Sequence, residues 1–222
     1  MRTFVIILAG GKGARMESEI PKQFIPIQGK PVIMHTIEKF RSFDPKIEII
    51  VVLPEVHIDL WKEMCNEFKF DIVHSIARGG AERFHSVKNA LSLLPDDSLV
   101  MIHDGVRPLV SHKSIDRVLQ KASEMGNAIP YIDINESIRK VIKGKSQSVK
   151  RSDYKIIQTP QAFKTNLIKT AYEQEYKDSF TDDASVLEAT GVNINLVLGN
   201  NKNIKITRPI DLIITERLLK ED

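Results

Sequence analysis

A short segment near the amino terminus combines three glycines with two basic side chains. It reads Leu8-Ala9-Gly10-Gly11-Lys12-Gly13-Ala14-Arg15-Met16. Glycine lets a backbone approach a ligand closely, and a row of exposed backbone N–H groups attracts anions. Lys12 and Arg15 add positive charge to the same loop. The segment therefore predicts a site for phosphate or a similar anion, while the alternative from these residues alone is a flexible turn between a strand and a helix.

Two familiar phosphate-binding loops do not fit this segment. A Walker A loop ends in Gly-Lys-Ser/Thr, whereas Gly11-Lys12 is followed by Gly13. A dinucleotide-binding loop has a further glycine three residues after Gly13, and that position is Met16. A dehydrogenase is for this reason only a distant alternative.

Apolar runs and amphipathic segments alternate along most of the chain. The runs at 4–8, 47–53 and 99–102, and more weakly at 71–76, are typical of strands buried on both faces. The amphipathic segments between and after them predict helices at 32–40, 58–68, 84–94 and 114–125, and later near 166–176, at 182–190 and after Pro209. A further strand is predicted at 195–198. This alternation predicts an α/β fold of the Rossmann-like type, with a mainly parallel twisted sheet and helices on both faces.

In such sheets ligands bind beyond the carboxyl ends of the strands. We therefore expect the site in the loops that follow Leu8, Ile76 and Ile102. The glycine loop is the first of these, and His103-Asp104 begins the third.

The alternation breaks after Pro130. Two strand-like stretches, 135–141 and 147–151, flank Lys143-Gly144-Lys145, which is typical of a hairpin turn. A two-stranded hairpin is marginally stable alone in water, so we expect this one to pack on another subunit. The chain is thus predicted to form a single domain, residues 1–222, with 135–152 as a β-arm for dimerisation.

Composition narrows the classes of protein. Lys and Arg outnumber Asp and Glu by 32 to 29, and this excess is too small to argue for nucleic acid. Cys65 is the only cysteine, which excludes an internal disulfide and a metal site built on several thiolates. No stretch approaches the roughly 18 apolar residues of a membrane span. Lys12 and Arg15 stand where a signal peptide would have its cleavage site, so a cytoplasmic protein is expected.

The glycine loop followed by Pro21-Lys22-Gln23-Phe24 resembles the signature of sugar-phosphate nucleotidyltransferases. Further segments resemble the 2-C-methyl-D-erythritol 4-phosphate cytidylyltransferase family of the non-mevalonate isoprenoid pathway, and they keep the order of that family from residue 6 to residue 212. These segments are Gly79-Gly80-Ala81-Glu82-Arg83 with Ser86, His103-Asp104-Gly105-Val106-Arg107-Pro108, Gln158-Thr159-Pro160-Gln161, Thr181-Asp182-Asp183-Ala184-Ser185, and Asn203-Ile204-Lys205-Ile206-Thr207-Arg208-Pro209.

The resemblance implies in-line transfer of CMP from CTP to a sugar-alcohol phosphate, 2-C-methyl-D-erythritol 4-phosphate, with Mg²⁺ as cofactor and pyrophosphate as the second product. It implies that the nucleotide lies against Leu8, Ala9, Gly10, Gly11, Gly13, Gly80, Ala81 and Ser86. The family often has Asp where this chain has Ala81, but the contact there is made by the backbone.

The resemblance also implies which side chains act on the reacting groups. Arg15, Lys22 and Lys205 are implied to bind the phosphates and stabilise the transition state. Asp104 is implied to face Mg²⁺ and the acceptor. The acceptor site is implied to be completed by Arg107, Arg151 and Thr159, with Arg151 reaching across from the partner subunit of a homodimer.

Several of these residues have structural alternatives when the residues are considered alone. Asp104 fits a turn or helix cap, Arg107-Pro108 a structural turn, and Lys205 a solvent-facing position in a strand-like pattern over 204–207. Glu82 and Arg83 are expected to be structural, and His103 is expected to be a packed or hydrogen-bonded side chain.

Two other functions are compatible with the sequence. A ribitol-5-phosphate cytidylyltransferase shares the glycine loop, Pro-Lys-Gln and Thr-Pro-Gln, and Val106 leans towards it. That family tends to have Ser at the position of Gly105 and to lack the Arg208-Pro209 pair. A non-catalytic nucleotide-binding homologue is the second alternative, and it would be expected to have lost Lys22 or Arg15, both of which are present.

Overall fold

The computed structural model describes residues 1–11 and 20–221. In chain order the strands are β1 (Arg2–Leu8), β2 (Pro26–Ile27), β3 (Lys30–Pro31), β4 (Glu48–Leu53), β5 (Ser75–Arg78), β6 (Ser98–Asp104), β7 (Asn127–Asp133), β8 (Arg139–Ile142), β9 (Lys145–Ser148), β10 (Lys155–Ile157), β11 (Gln161–Lys164) and β12 (Leu196–Leu198). The helices are α1 (Val32–Phe43), α2 (Ile58–Glu67), α3 (Arg83–Leu91), α4 (His112–Met125), α5 (Thr165–Ala171), α6 (Asp183–Glu188) and α7 (Pro209–Leu219). Short 3₁₀ helices lie at Lys22–Phe24, Glu55–His57 and Arg151–Asp153.

Eight strands form the central sheet, in the order β10-β7-β11-β6-β1-β4-β5 with β12 beside β7. β1 pairs in parallel with both β4 and β6, and β4 pairs in parallel with β5. β11 is inserted antiparallel between β6 and β7, and β10 is antiparallel to β7. The predicted mainly parallel α/β fold is thus confirmed.

The two faces of the sheet build two apolar cores. Alternate side chains of β1 point to opposite faces, so Val5 and Ile7 pack on one side while Phe4 and Ile6 pack on the other. The first core takes its helical side chains mainly from α1, α2 and α4, and the second takes them from α3, α5 and α6. Helices therefore cover both faces, and the polar site has to lie at the strand ends.

Some predicted elements differ from the observed ones. The strand predicted at 71–76 begins only at Ser75 and continues to Arg78, and the apolar side chains of Phe70 and Ile72 pack against the first core from outside the strand. The strand-like pattern over 204–207 is not a strand, although the N–H of Ile206 donates to the carbonyl of Val106 at 3.0 Å. β7, β10 and β11 were not predicted.

The predicted hairpin is present but shorter than expected. β8 and β9 form a separate two-stranded sheet in which all eight residues are exposed. Lys143 and Gly144 connect them with φ values of 48° and 77°, the two positive angles that a type I′ turn requires. We keep the name "arm" for residues 135–152. Its role in dimerisation stays a prediction.

In the part of the chain that the structure describes, no helix is both long enough and apolar enough to cross a bilayer.

Candidate active site

A cleft of about 430 Å³ opens at the carboxyl ends of the parallel strands. It brings together ten of the predicted site residues, which are Leu8, Ala9, Gly10, Gly11, Lys22, Gly80, Ala81, Ser86, Asp104 and Lys205. Arg107 and Thr159 lie behind Asp104 and contact it directly. Gly13 and Arg15 lie outside the described residues, so their predicted roles stay predictions.

Backbone hydrogen bonds tie the strand ends together beneath the cleft. The N–H of Ala9 donates to the carbonyl of Val52 at 2.9 Å, and the N–H of Gly105 donates to the carbonyl of Leu8 at 2.8 Å. A Cβ added at Gly105 would lie 3.0 Å from the Leu8 oxygen. The two loops therefore approach each other closely, and a side chain at this position would need the Leu8 carbonyl to give by a few tenths of an ångström.

The turn between β5 and α3 forms one wall of the cleft. The N–H of Gly80 donates to Ser86 Oγ at 3.0 Å, and that hydroxyl donates to the carbonyl of Glu82 at 3.1 Å. A Cβ at Gly80 would lie 2.3 Å from the Cβ of His85, so the turn also needs glycine. Ser86 thus holds the turn in place, and Gly80, Ala81 and Ser86 all line the cleft. Recognition of cytosine by these residues stays a prediction.

The Pro-Lys-Gln-Phe segment is fixed by its neighbours on both sides of Lys22. Gln23 Nε2 donates to the carbonyl of Ala9 at 2.7 Å, and the buried ring of Phe24 stacks on Trp61 at 6.2 Å between centroids. Lys22 lines the cleft, and its Nζ donates to the carbonyl of Ile206 at 3.2 Å. This bond joins the amino-terminal part of the site to the segment that carries Lys205.

Asp104 is the main carboxylate of the cleft. Its Oδ2 accepts a hydrogen bond from Arg107 Nε at 2.9 Å and pairs with Lys205 Nζ at 3.1 Å. Burial disfavours the charged form of Asp104, but the charges of Lys205, Arg107 and Arg83 outweigh burial and hold its pKa well below the usual range. The carboxylate therefore stays ionised at neutral pH.

Arg107 and Thr159 have their polar groups engaged within the chain. Arg107 Nη1 donates to the carbonyl of Asn203 at 2.9 Å, in addition to the bond to Asp104. Thr159 Oγ1 accepts from the backbone N–H of Asp104 at 3.1 Å and lies 3.0 Å from His103 Nδ1. Direct contact of these two side chains with an acceptor stays a prediction.

The structure does not bring Arg151 to the cleft of its own chain. Arg151 is exposed at the base of the arm, and its Nη1 donates to the carbonyl of Asn135 at 2.6 Å. Its predicted role from the partner subunit is neither supported nor contradicted by this position.

A buried ion pair beside the cleft was missed by the sequence reasoning, which expected Arg83 to be structural without naming its partner. Both oxygens of Asp183 accept from the guanidinium of Arg83, at 2.8 and 2.6 Å, and Asp183 is fully buried. Tyr172 Oη donates to Asp183 Oδ1 at 2.6 Å. Arg83 also lines the cleft, so this pair attaches α6 to the site wall. The resemblance over 181–185 was the signal that pointed to this region.

Within residues 1–11 and 20–221 there is no preformed metal cage, because no group of three or more His, Cys, Asp or Glu side chains is arranged to hold an ion. An ion here would need a substrate to supply most of its ligands.

The fold and the cleft together define a class of protein. A cleft beyond the ends of parallel strands, with glycines on its walls, several cations and the ionised carboxylate of Asp104, has what an α/β nucleotidyltransferase needs.

Comparison with known proteins narrows this class. The family model described as IspD, 2-C-methyl-D-erythritol 4-phosphate cytidylyltransferase, matches residues 3–221, and the chain belongs to this family. A Bacteroides fragilis protein with that name is 54% identical over 214 residues, which are 96% of this chain and 98% of the relative.

Solved structures of the family have the same fold. The 2-C-methyl-D-erythritol 4-phosphate cytidylyltransferase of Thermus thermophilus has a TM-score of 0.80 at 29% identity, over 99% of this chain and 100% of that one. The bifunctional IspDF of Campylobacter jejuni has a TM-score of 0.82 at 29% identity, over 96% of this chain but only 54% of that one. The resemblance predicted from the sequence segments is confirmed, and the comparisons do not favour the ribitol phosphate or non-catalytic alternatives.

Proposed function

We infer that the protein transfers the cytidylyl group of CTP to 2-C-methyl-D-erythritol 4-phosphate and releases pyrophosphate. The observation that carries this inference is the family match over residues 3–221, in a chain whose cleft holds both Lys22 and Lys205. An oxygen of the acceptor phosphate forms a bond to the α-phosphorus of CTP. The bond from that phosphorus to the oxygen bridging to the β-phosphorus breaks, and its electron pair leaves with pyrophosphate.

Charge stabilisation is the main task of the side chains in this reaction. Two anions must approach each other, and fixed cations lower the cost of that approach. Lys22 and Lys205 enter the cleft from opposite ends of the chain. Lys22 donates to the carbonyl of Ile206, the residue that follows Lys205, and Lys205 pairs with Asp104. They are placed to hold the triphosphate and the attacking phosphate together.

No general base is needed for the attack. A phosphate monoester dianion is already nucleophilic. Burial raises the pKa of Asp104, but the charges of Lys205 and Arg107 lower it further than burial raises it, so this carboxylate is too weak a base for the task. Asp104 instead orients the cations that surround it.

The residues fit a magnesium ion that is held chiefly by the substrate. Mg²⁺ is commonly bound by one or two carboxylates together with substrate phosphates and water. Asp104 is the residue that would hold it, and the bound ion would supply positive charge to the triphosphate. The paired lysine, Lys205, is 41% exposed and is able to turn from Asp104 towards a phosphate.

Dimerisation through the arm is part of this proposal. Residues 139–151 of the arm include six Lys and Arg and no Asp or Glu, so the chain outside 139–151 has a net charge of −3. Val141 and Ile142 are 65% and 55% exposed at its tip. A cationic hairpin with exposed apolar side chains suits the less basic surface of a second copy. Binding of the arm to that copy would bring Arg151 towards the partner subunit and away from the cleft of its own chain. A cytoplasmic location remains a prediction from the sequence.

A panel of acceptors tests the proposal. Purified protein with CTP and Mg²⁺ is expected to release pyrophosphate quickly with 2-C-methyl-D-erythritol 4-phosphate and slowly or not at all with ribitol 5-phosphate or without acceptor. Faster turnover with ribitol 5-phosphate would replace the proposed acceptor. Binding of CTP without pyrophosphate release from any acceptor would instead indicate a non-catalytic homologue.

A further inference from the structure

His103 is a fully buried histidine next to the carboxylate of the site. Its ring packs edge-on against Phe40, with 4.9 Å between centroids and 69° between planes. Nε2 lies 3.1 Å from the carbonyl oxygen of Arg107, and Nδ1 lies 3.0 Å from the hydroxyl of Thr159. Both ring nitrogens therefore contact residues that the sequence assigned to the acceptor site.

The partners of the ring determine where its proton lies. A carbonyl oxygen only accepts, so Nε2 must carry hydrogen and donate to Arg107. A buried imidazolium would lack a carboxylate of its own, because the Asp104 oxygen is already shared by Arg107 and Lys205. The ring is therefore neutral, with a bare Nδ1 that accepts from the Thr159 hydroxyl.

The direction of the remaining hydrogen bonds follows. Thr159 has one hydroxyl hydrogen, and it is directed at His103. The oxygen of that hydroxyl accepts from the backbone N–H of Asp104. Thr159 thus cannot donate to an acceptor phosphate unless it breaks a buried bond, although the sequence resemblance placed it in contact with the acceptor.

We propose that His103 is a positioning residue for the transfer reaction, which orients Thr159 and Arg107 and through them fixes Asp104. One ring nitrogen holds the hydroxyl that supports the backbone of Asp104, and the other holds the carbonyl of the residue whose side chain pairs with its carboxylate. Thr159 then acts through Asp104 and not by contact with the acceptor. This inference rests on the proposed function of the cleft.

Substitutions that separate packing from hydrogen bonding test the proposal. His103→Phe keeps a ring against Phe40 and loses both bonds, while His103→Asn keeps an acceptor near the position of Nδ1. We expect His103→Phe to lower kcat roughly tenfold with little change in the KM for CTP, since a buried hydrogen-bonded pair is broken. His103→Asn is expected to recover part of that loss. His112→Phe is the matched control, because His112 is an exposed residue on α4.

Coupling between the two residues is the sharper measurement. Thr159→Val removes the hydroxyl and Thr159→Ser keeps it. Because the two side chains share one bond, we expect the His103→Phe/Thr159→Val double variant to lose little more kcat than the worse single variant. Multiplication of the two single losses would overturn the proposal. So would a rise of the acceptor KM in Thr159→Val alone, with kcat retained, because that result indicates direct contact.

A spectroscopic measurement on the unaltered protein keeps the proposal testable if a variant does not fold. Nitrogen NMR of the histidine rings is expected to find His103 with hydrogen on Nε2 and none on Nδ1. Hydrogen on Nδ1 would reverse the bond to Thr159 and overturn the proposal. This readout needs no acceptor, so it separates failure of the positioning role from failure of the proposed function.

Discussion

The cleft and the arm hold their charged side chains in opposite ways. In and beside the cleft, the carboxylates of Asp104 and Asp183 are buried and paired with arginines of the same chain. In the arm, Arg139 and Arg151 are exposed and donate to neutral oxygens of neighbouring residues. The cleft is therefore organised by its own chain before any ligand arrives. The charged side chains of the arm are instead exposed to solvent.

The energetic side of this comparison is tested by two ion pairs. Asp183→Ala leaves Arg83 without its carboxylate in a largely buried place, and we expect a loss of about 3–5 kcal/mol in the free energy of unfolding. Asp153→Ala breaks the exposed pair between Lys150 of the arm and Asp153 just beyond it, whose atoms are 3.7 Å apart, and should cost less than about 1 kcal/mol. Urea unfolding measures both values. Equal losses would mean that burial is not what distinguishes the two regions.

The catalytic side is tested by two lysines. Lys22→Ala removes a cation from the cleft, and we expect kcat to fall by on the order of 10²–10³, the usual effect of losing one transition-state donor. Lys113→Ala removes an exposed cation from α4, outside both the cleft and the arm, and should change kcat by no more than about twofold, as for other exposed substitutions. Steady-state pyrophosphate release measures both. Near-normal turnover in Lys22→Ala would remove this lysine from the mechanism.

The hydrogen bond from Tyr172 to Asp183 tests the comparison through the pH dependence of the unfolding free energy. Burial, and then the charge of Asp183, raise the pKa of Tyr172 above its ordinary value. The unfolded chain loses this proton near pH 10 and the folded chain only at higher pH, so the stabilisation is present below about pH 10 and is lost as pH rises further. Tyr172→Phe lacks the bond to Asp183 and should be less stable by about 1.5–3 kcal/mol at pH 8.

The pH dependence of that difference is the measurement. We expect the gap in unfolding free energy between the unaltered protein and Tyr172→Phe to shrink above pH 10, by up to about 1.4 kcal/mol per pH unit. Tyr154→Phe is the control, because Tyr154 follows the arm and is 43% exposed. If the difference in unfolding free energy between the unaltered protein and Tyr172→Phe stayed constant from pH 8 to 11, folding would not raise the pKa of Tyr172.

The sequence predicted the elements of the sheet where its local pattern matched the final packing. β1, β4 and β6 are continuous apolar runs because both of their faces are buried. β7 and β11 escaped prediction because polar residues lie inside them. Gln161, for example, is fully buried in β11, where its amide bonds to Asp182 and to the backbone of Ala184. In the sequence, a polar residue of this kind is typical of a loop, and only its distant hydrogen-bond partners explain why it is buried in a strand.

The same distinction applies to the site. The glycines and the lysines were predictable because their chemistry is carried by short segments that the resemblance identified. The pair of Arg83 and Asp183 joins residues 100 positions apart, and the bond between His103 and Thr159 spans 56 positions. Residue types alone give no sign of these pairings. They arise because the sheet brings β6, β11 and the ends of α3 and α6 together.

The arm offers the last and smallest test of the comparison. If a second copy covers its tip, Val141→Asp should place a charge in that interface and weaken the dimer by about tenfold or more, the usual effect of altering an important interface residue. Sedimentation equilibrium over a range of protein concentrations measures the dissociation constant. Val73→Asp is the matched control, because Val73 is 82% exposed and lies outside the arm. Since Val141 is 65% exposed in the single chain, the folded body should tolerate the change and unfold in urea as before once the dimer is dissociated.

A protein that is monomeric at every concentration tested would contradict dimerisation. It would also leave Arg151 with no route to a cleft, because its own chain holds it away from that site.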